Sequence, residues 1–170
     1  VEDMKGVKFR SYNNTTARLA ELTGMSPVTI EAAEVSQAFA TGVAESMISS
    51  GATGYDQKVW ESLTHFYEVD AWLPRNYVMV NADVWAEVTD ANKEAITTCA
   101  TEAEERGLQA SKDYTQFTYD GLREGGMNVE PASEELMSGL REVGETMTQE
   151  WLEAAGEDGQ AIVDDYKAMQ

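Results

Sequence analysis

The sequence predicts an α/β protein, a mixed and mostly parallel sheet flanked by helices, with one long helix and further helices at the C-terminal end. Three observations carry this. The first fifty residues alternate strand and helix patterns in βαβα order. A helical stripe then runs from Asp90 to Glu124, and helical patterning resumes after Pro131. Residues 3–12 alternate apolar and polar positions, with Val7 and Phe9 on one face and Lys8 and Arg10 on the other, and read as a strand. A short helix pattern follows to Leu22. After the turn Thr23-Gly24-Met25-Ser26-Pro27 comes a second strand, Val28-Thr29-Ile30. Glu31 to about Thr41 reads as a helix stopped by Gly42, leading to a third strand at 45–49. The small residues of 49–55 read as a loop, and 57–63 as a short helix. Residues 66–72 and 76–81 read as two further strands, interrupted at Leu73-Pro74-Arg75-Asn76.

Thr89 or Asp90 is the expected N-cap of the long helix. Its stripe is Ala95, Ile96, Cys99, Ala103, Leu108, Tyr114, Phe117 and Leu122, and Gly125-Gly126 ends it. Such a helix far exceeds the roughly dozen residues usual in compact domains. Residues 127–131 read as a short edge strand. Ser133-Glu134-Glu135 opens the last helical region, which Gly156-Glu157-Asp158-Gly159 interrupts before it resumes to Met169.

The length of 170 residues suits one domain with a real core. The net charge of −19 argues against nucleic acid or an anionic membrane as partner, since phosphate backbones demand clustered Lys and Arg. So acidic a surface reads as a solubility feature, and it repels anions at long range, so any anion site must be a local basic pocket. Cys99 is the single cysteine, which excludes an intramolecular disulfide, and its place on the apolar stripe predicts burial. No apolar run of about 18 residues and no signal peptide is visible in these residues.

Arg10 leads the candidates for chemistry, because it falls at the carboxyl end of a strand, the edge where open α/β sheets bind ligands. A guanidinium binds a carboxylate through two parallel hydrogen bonds. The alternative is a surface arginine paired with one of the 31 acids. Ser49, Ser50, Gly51 and Thr53 follow the third strand at the same edge and offer hydroxyls and backbone N–H groups, unless the turn simply needs small residues. Asn13 reads either as a ligand-facing residue or as the N-cap of the first helix. Trp72 is either an aromatic pocket wall or core packing, and Tyr67 is a weaker cleft candidate. Trp60, Trp85 and Trp151 read as packing residues on helix faces. His65 is the only histidine and lies in no nucleophile motif, and no G-x-S-x-G, Walker A or H-E-x-x-H run is present. Neither a metal nor a cofactor is expected: Cys and His are too few, and acidic pairs such as Glu104-Glu105 lack EF-hand spacing.

The run Asp3-Met4-Lys5-Gly6-Val7-Lys8-Phe9-Arg10 resembles the "D-L-K-G-x-K-x-R" strand of the solute receptors of TRAP transporters, the periplasmic DctP family. Gly24-Met25-Ser26-Pro27-Val28, then Glu34-Val35-Ser36-Gln37-Ala38-Phe39-Ala40-Thr41-Gly42-Val43, is similar to that family's "G-A-x-P-x…E-V-Y-x-A-L-Q-x-G-V". Tyr77-Val78-Met79-Val80-Asn81, followed by Val84-Trp85, fits the strand and helix start found there. Where many members read "V-D-G-x-E-N", this chain has Ala44-Glu45-Ser46-Met47-Ile48-Ser49, so Ser49 stands at the usual asparagine.

The resemblance implies the second lobe of a type II-like periplasmic binding protein, with the family's N-terminal lobe outside these residues and any secretory signal ahead of it. It divides the chain into an α/β ligand-binding lobe core at 1–88, a long inter-lobe hinge helix at 89–126, and a short strand with C-terminal helices at 127–170. It implies an organic-acid receptor, not an enzyme, that serves a TRAP permease in the periplasm. In that role Arg10 clamps the ligand carboxylate, Asn13, Ser49, Ser50 and Thr53 stand nearby, and Trp72 lines the cleft. Ser49 together with Trp72 points to a keto, hydroxy or aromatic acid over a plain dicarboxylate. A non-transport α/β interaction domain descended from such receptors is the alternative, and an enzyme using carboxylates for acid–base work is a more distant one. A lone lobe would leave half of the long helix without a packing partner, so self-association is expected.

Overall fold

The computed structural model describes residues 1–72 and 76–169. Three parallel strands form the main sheet: β1 (Lys8–Ser11) lies between β2 (Ser26–Thr29) and β3 (Ser46–Met47). The register sets Arg10 opposite Val28 on one side and Met47 on the other. The crossovers are made by α1 (Asn14–Leu22) and by α2 (Val35–Ala40), the latter entered through a 3-10 turn at Ala32–Glu34.

After β3 come α3 (Gly51–Asp56), a 3-10 turn at Val59–Glu61 and β4 (His65–Glu68). Then follow α4 (Ala82–Glu87), α5 (Asp90–Glu124), β5 (Asn128–Pro131) and α6 (Glu134–Ala168). β5 is the short strand expected near 127–131, and it pairs parallel to β4 in a separate two-stranded sheet. Thr89 caps α5 and Ser133 caps α6, each hydroxyl accepting a backbone N–H of the first turn. Gly156 (φ 66°) kinks α6, a backbone state open to glycine at little steric cost.

The core has two parts. Ile30, Val35, Phe39, Val59, Leu122 and Met127 anchor one, which joins α2 and the C-terminal end of α5 to the sheet. Phe9, Leu19, Ala20 and Met25 form the other, with Leu140, Val143 and Met147 of α6 packed on it. β1 is thus central and covered. Lys8 at its start is exposed, but Phe9, Arg10 and Ser11 are all buried, so of the two polar positions read from its alternation Arg10 does not face water.

Several expectations are corrected. The opening strand is four residues long, preceded by a 3-10 turn at Glu2–Met4, and the third strand is only Ser46–Met47. The expected loop at 49–55 is helical from Gly51, because Ser50 caps it, and the expected helix at 57–63 shrinks to the 3-10 turn. β4 stops at Glu68, and 76–81 forms no strand: Tyr77, Val78, Met79 and Val80 are exposed and have no ladder partner among the described residues. The interruption read at Leu73-Pro74-Arg75 lies outside the described residues. Cys99 is exposed rather than buried, since residues 94–117 of α5 are exposed on every face. Trp60 packs on the first core and Trp85 is half-buried. Trp151 remains exposed at the surface, although it lies against Gly159 beyond the kink.

Candidate functional site

The candidate site lies at the carboxyl edge of the three-stranded sheet, where β1 brings Arg10 and the chain past β3 brings Ser49, two residues after Met47. Arg10 is only 4% exposed. Its Nε–H donates to the Ile30 carbonyl, just past β2, at 2.9 Å. The Tyr12 ring lies beside the guanidinium, 5.0 Å from centroid to Cζ, an arrangement favourable to a cation. Burial pulls the Arg10 pKa down from its ordinary value, while Tyr12 and Glu31 act in the opposite direction. An arginine starting so high stays charged at neutral pH.

Among the described residues Arg10 is the only buried ionisable side chain, and no carboxylate pairs with it. Burying a guanidinium without a counter-charge costs several kcal/mol, of order 3–5 when a buried pair is broken. Since Ile30 occupies Nε, the edge left for an acceptor is the one formed by the two Nη groups. A carboxylate can meet that edge through both oxygens.

The other candidates divide by what their side chains already do. Asn13 caps α1, as one of its two readings had it: Oδ1 accepts the Thr16 N–H at 2.8 Å in a capping box. Ser50 caps α3, its Oγ accepting the Thr53 N–H at 3.1 Å, and the two hydroxyls lie 3.1 Å apart. The Ser49 hydroxyl is half-buried and makes no hydrogen bond to the described residues. Trp72 packs against the Phe9 core and, with Leu19, Ile48, Leu140 and Met147, lines an apolar hollow of about 220 Å³ between α1 and α6. Ile48 directly precedes Ser49 and links the hollow to the sheet edge. Tyr67 is exposed on β4 and stacks with His65, away from Arg10's sheet.

Two contributors escaped the sequence reading. The Ile30 carbonyl carries no side-chain signal. Tyr12 did carry one, because it lies two residues beyond Arg10 and side chains at i and i+2 of a strand share a face.

A parallel α/β sheet with a buried cation at its carboxyl edge is the arrangement at which open α/β folds bind ligands. The chain belongs to the bacterial extracellular solute-binding protein family 7 (DctP), which it matches over residues 1–154. Among solved structures it is similar to a marine-metagenome TRAP solute-binding protein from an unidentified microbe, specific for pyroglutamate. The two are 48% identical with a TM-score of 0.87, over 98% of this chain and 55% of that one. It is also similar to two Bordetella pertussis extracytoplasmic receptors that bind pyroglutamic acid. DctP6 is 44% identical with a TM-score of 0.90, over 98% of this chain and 56% of that one. DctP7 is 36% identical with a TM-score of 0.87, over 97% and 55%. No curated protein matches the sequence. The chain therefore spans a little over half the length of these relatives. No helix among the described residues is long and apolar enough to cross a membrane.

Proposed function

We propose that this chain is the second, carboxylate-binding lobe of a periplasmic TRAP solute receptor, and that its ligand is pyroglutamate or a close cyclic monocarboxylate. The observation that carries the reading is Arg10: a buried guanidinium tethered at Nε, with its Nη edge free of acceptors among the described residues. A single buried cation favours a monocarboxylate, because a second carboxylate would meet no counter-charge on this lobe. The ligands of the three relatives support the same choice, and they move the expectation from keto, hydroxy or aromatic acids to a lactam acid. The lactam ring adds one N–H donor and one carbonyl acceptor, which the Ser49 hydroxyl can serve in either role. In this reading 1–88 form the lobe core, 89–126 the hinge helix and 127–170 the C-terminal support, and a membrane permease takes up the delivered acid. Binding and release, without bond chemistry, are the expected activity.

Calorimetry on the full-length receptor tests this. Pyroglutamate should bind at least about tenfold tighter than succinate, a difference of about 1.4 kcal/mol. Arg10→Lys keeps the charge but loses the planar fork, and a charge-assisted pair weakened in this way is worth roughly 1.5–3 kcal/mol, or about tenfold and more in affinity. A receptor that ignores monocarboxylates, or an Arg10→Lys variant that binds pyroglutamate like the parent, removes the proposal. An interaction domain would show neither response, and turnover of the acid would point to an enzyme.

A further inference from the structure

We propose that Gly51 is a positioning residue for the carboxylate site: its lack of a side chain lets α3 seat on Thr118 and Tyr119 of α5, and this seat sets where Ser49 and Ser50 lie relative to Arg10. The inference rests on the reading of the Arg10 edge as the carboxylate site.

The ladder cannot hold the loop by itself. β3 is two residues long and its pairing ends at Met47, opposite Arg10. The loop is therefore located from its far end, where α3 begins. Ser50 is bound to that helix through its cap on the Thr53 N–H, so Ser50 travels with α3. At Gly51, a Cβ would stand 2.7 and 2.9 Å from the Tyr119 ring, closer than real Cβ atoms sit, and 3.0 Å from Thr118 Oγ1, a tight contact. Moving either neighbour disturbs packing it already makes. Thr118 is fully buried, with its hydroxyl bonded to the Thr115 carbonyl at 2.9 Å, and the Tyr119 ring lies against Phe66, 5.3 Å between centroids.

One turn later the demand relaxes. A Cβ at Gly54 would meet Val59 and Leu122 at 3.4 to 3.8 Å, ordinary contact. Of the two glycines of α3, the one that cannot take a methyl is thus the one that adjoins the loop. In the other direction, Gly121 of α5 admits the Tyr55 ring of α3, and Gly125, just past α5, admits the Trp60 ring of the following 3-10 turn, so this stretch packs closely on the end of α5. Adding a methyl at Gly51 must lift the start of α3 off α5 and carry Ser50 and Ser49 with it.

Three variants of the full-length receptor test this, with pyroglutamate as titrant and melting temperature as the control. Gly51→Ala should weaken binding about tenfold or more, since small misplacements of positioned groups have large effects. Gly54→Ala, on the same helix face, should bind within about twofold of the parent, as separable sites do. Adding Tyr119→Ala to Gly51→Ala makes room for the methyl and should recover most of the lost affinity, a non-additive pair. Parent-like binding by Gly51→Ala, equal losses at Gly51 and Gly54, or no recovery in the double variant would each overturn the proposal. Should Gly51→Ala alone fail to fold, the double variant decides: folded and binding supports the seat, folded and non-binding removes it. A parent that binds no monocarboxylate counts against the proposed function instead. Gly51 is then judged by backbone amide exchange at 48–50, which should speed up in Gly51→Ala and not in Gly54→Ala; unchanged exchange overturns the positioning role.

Discussion

At the scale of single residues the site is a problem of satisfying one cation. Arg10 has one edge tied to the Ile30 carbonyl and an aromatic ring beside it, so its remaining donors face one direction. Tyr12 is 43% exposed, and its backbone N–H is held by Thr16 Oγ1 at 3.1 Å, which fixes where the ring begins. A ring on a guanidinium contributes about 0.5–1 kcal/mol at exposed sites and more when desolvated. Tyr12→Phe keeps that ring and is expected to leave acid affinity within about twofold, whereas Tyr12→Leu should weaken it by roughly three- to tenfold. Equal affinities for Phe and Leu at this position, measured by calorimetry on the full-length receptor, would show that the ring does not orient Arg10. The sequence made Arg10 legible because a cation in so acidic a chain needs a reason. The i+2 spacing of Tyr12 from Arg10 is a signal but a weak one, because a tyrosine beside a strand is ordinary until the guanidinium is seen next to it. Asn13 caps α1, one of the two roles its position suggests, whereas Ser50, a candidate for its hydroxyl, also satisfies a helix N-terminus, whose backbone N–H groups lack partners.

At the scale of elements, what a segment becomes depends on whether it finds a partner. Tyr77-Val78-Met79-Val80 has the apolar, β-prone character of a strand, yet a strand exists only through its ladder, and none reaches it among the described residues. Residues 49–55 show the opposite case. The small residues suggest a loop, but Gly51 lets α3 lie close on α5, and a serine cap is enough to start the helix. The caps at Thr89 and Ser133 were legible because they act within a single turn of chain. Long-range ties were not. Arg18 of α1 grips Glu150 of α6 through Nε and Nη2, the shortest contact 2.6 Å, and also holds Glu21 at 2.9 Å. Hydrogen bonding to Arg18 holds the Glu150 pKa below its ordinary value in the folded chain. A depressed carboxylate contributes stability above its unfolded pKa, and that contribution fades as pH falls through the folded value. Glu150→Gln should therefore lower the melting temperature at pH 7, with the gap to the parent closing as pH drops below the carboxylate range and narrowing in high salt. A gap of the same size at pH 7 and pH 3 would mean that the tie between α1 and α6 is packing and not charge.

At the scale of the whole molecule, the fold leaves much apolar surface uncovered. Tyr77, Val78, Met79 and Val80 stand in solvent, and so do Ile96, Leu108, Tyr114 and Phe117 along α5. Scattered exposed apolar residues are normal, but a contiguous set marks a surface built to meet another. The relatives are nearly twice as long as this chain, and under the proposed function the other lobe is the natural cover. These 170 residues produced by themselves should then bury that surface by self-association, as dimers or by exchange of a helix. Their acid affinity should also be weak, about millimolar or worse, because a closing cleft supplies ligand contacts from both sides and one lobe supplies only its own. Arg10 would still attract a carboxylate, but with one face of the ligand in water the ion pair is worth little. Light scattering with calorimetry on the same sample decides the matter. A monomer that binds pyroglutamate at micromolar strength would mean that the Arg10 edge suffices without a second lobe and that the exposed stripe of α5 has no covering partner to lose.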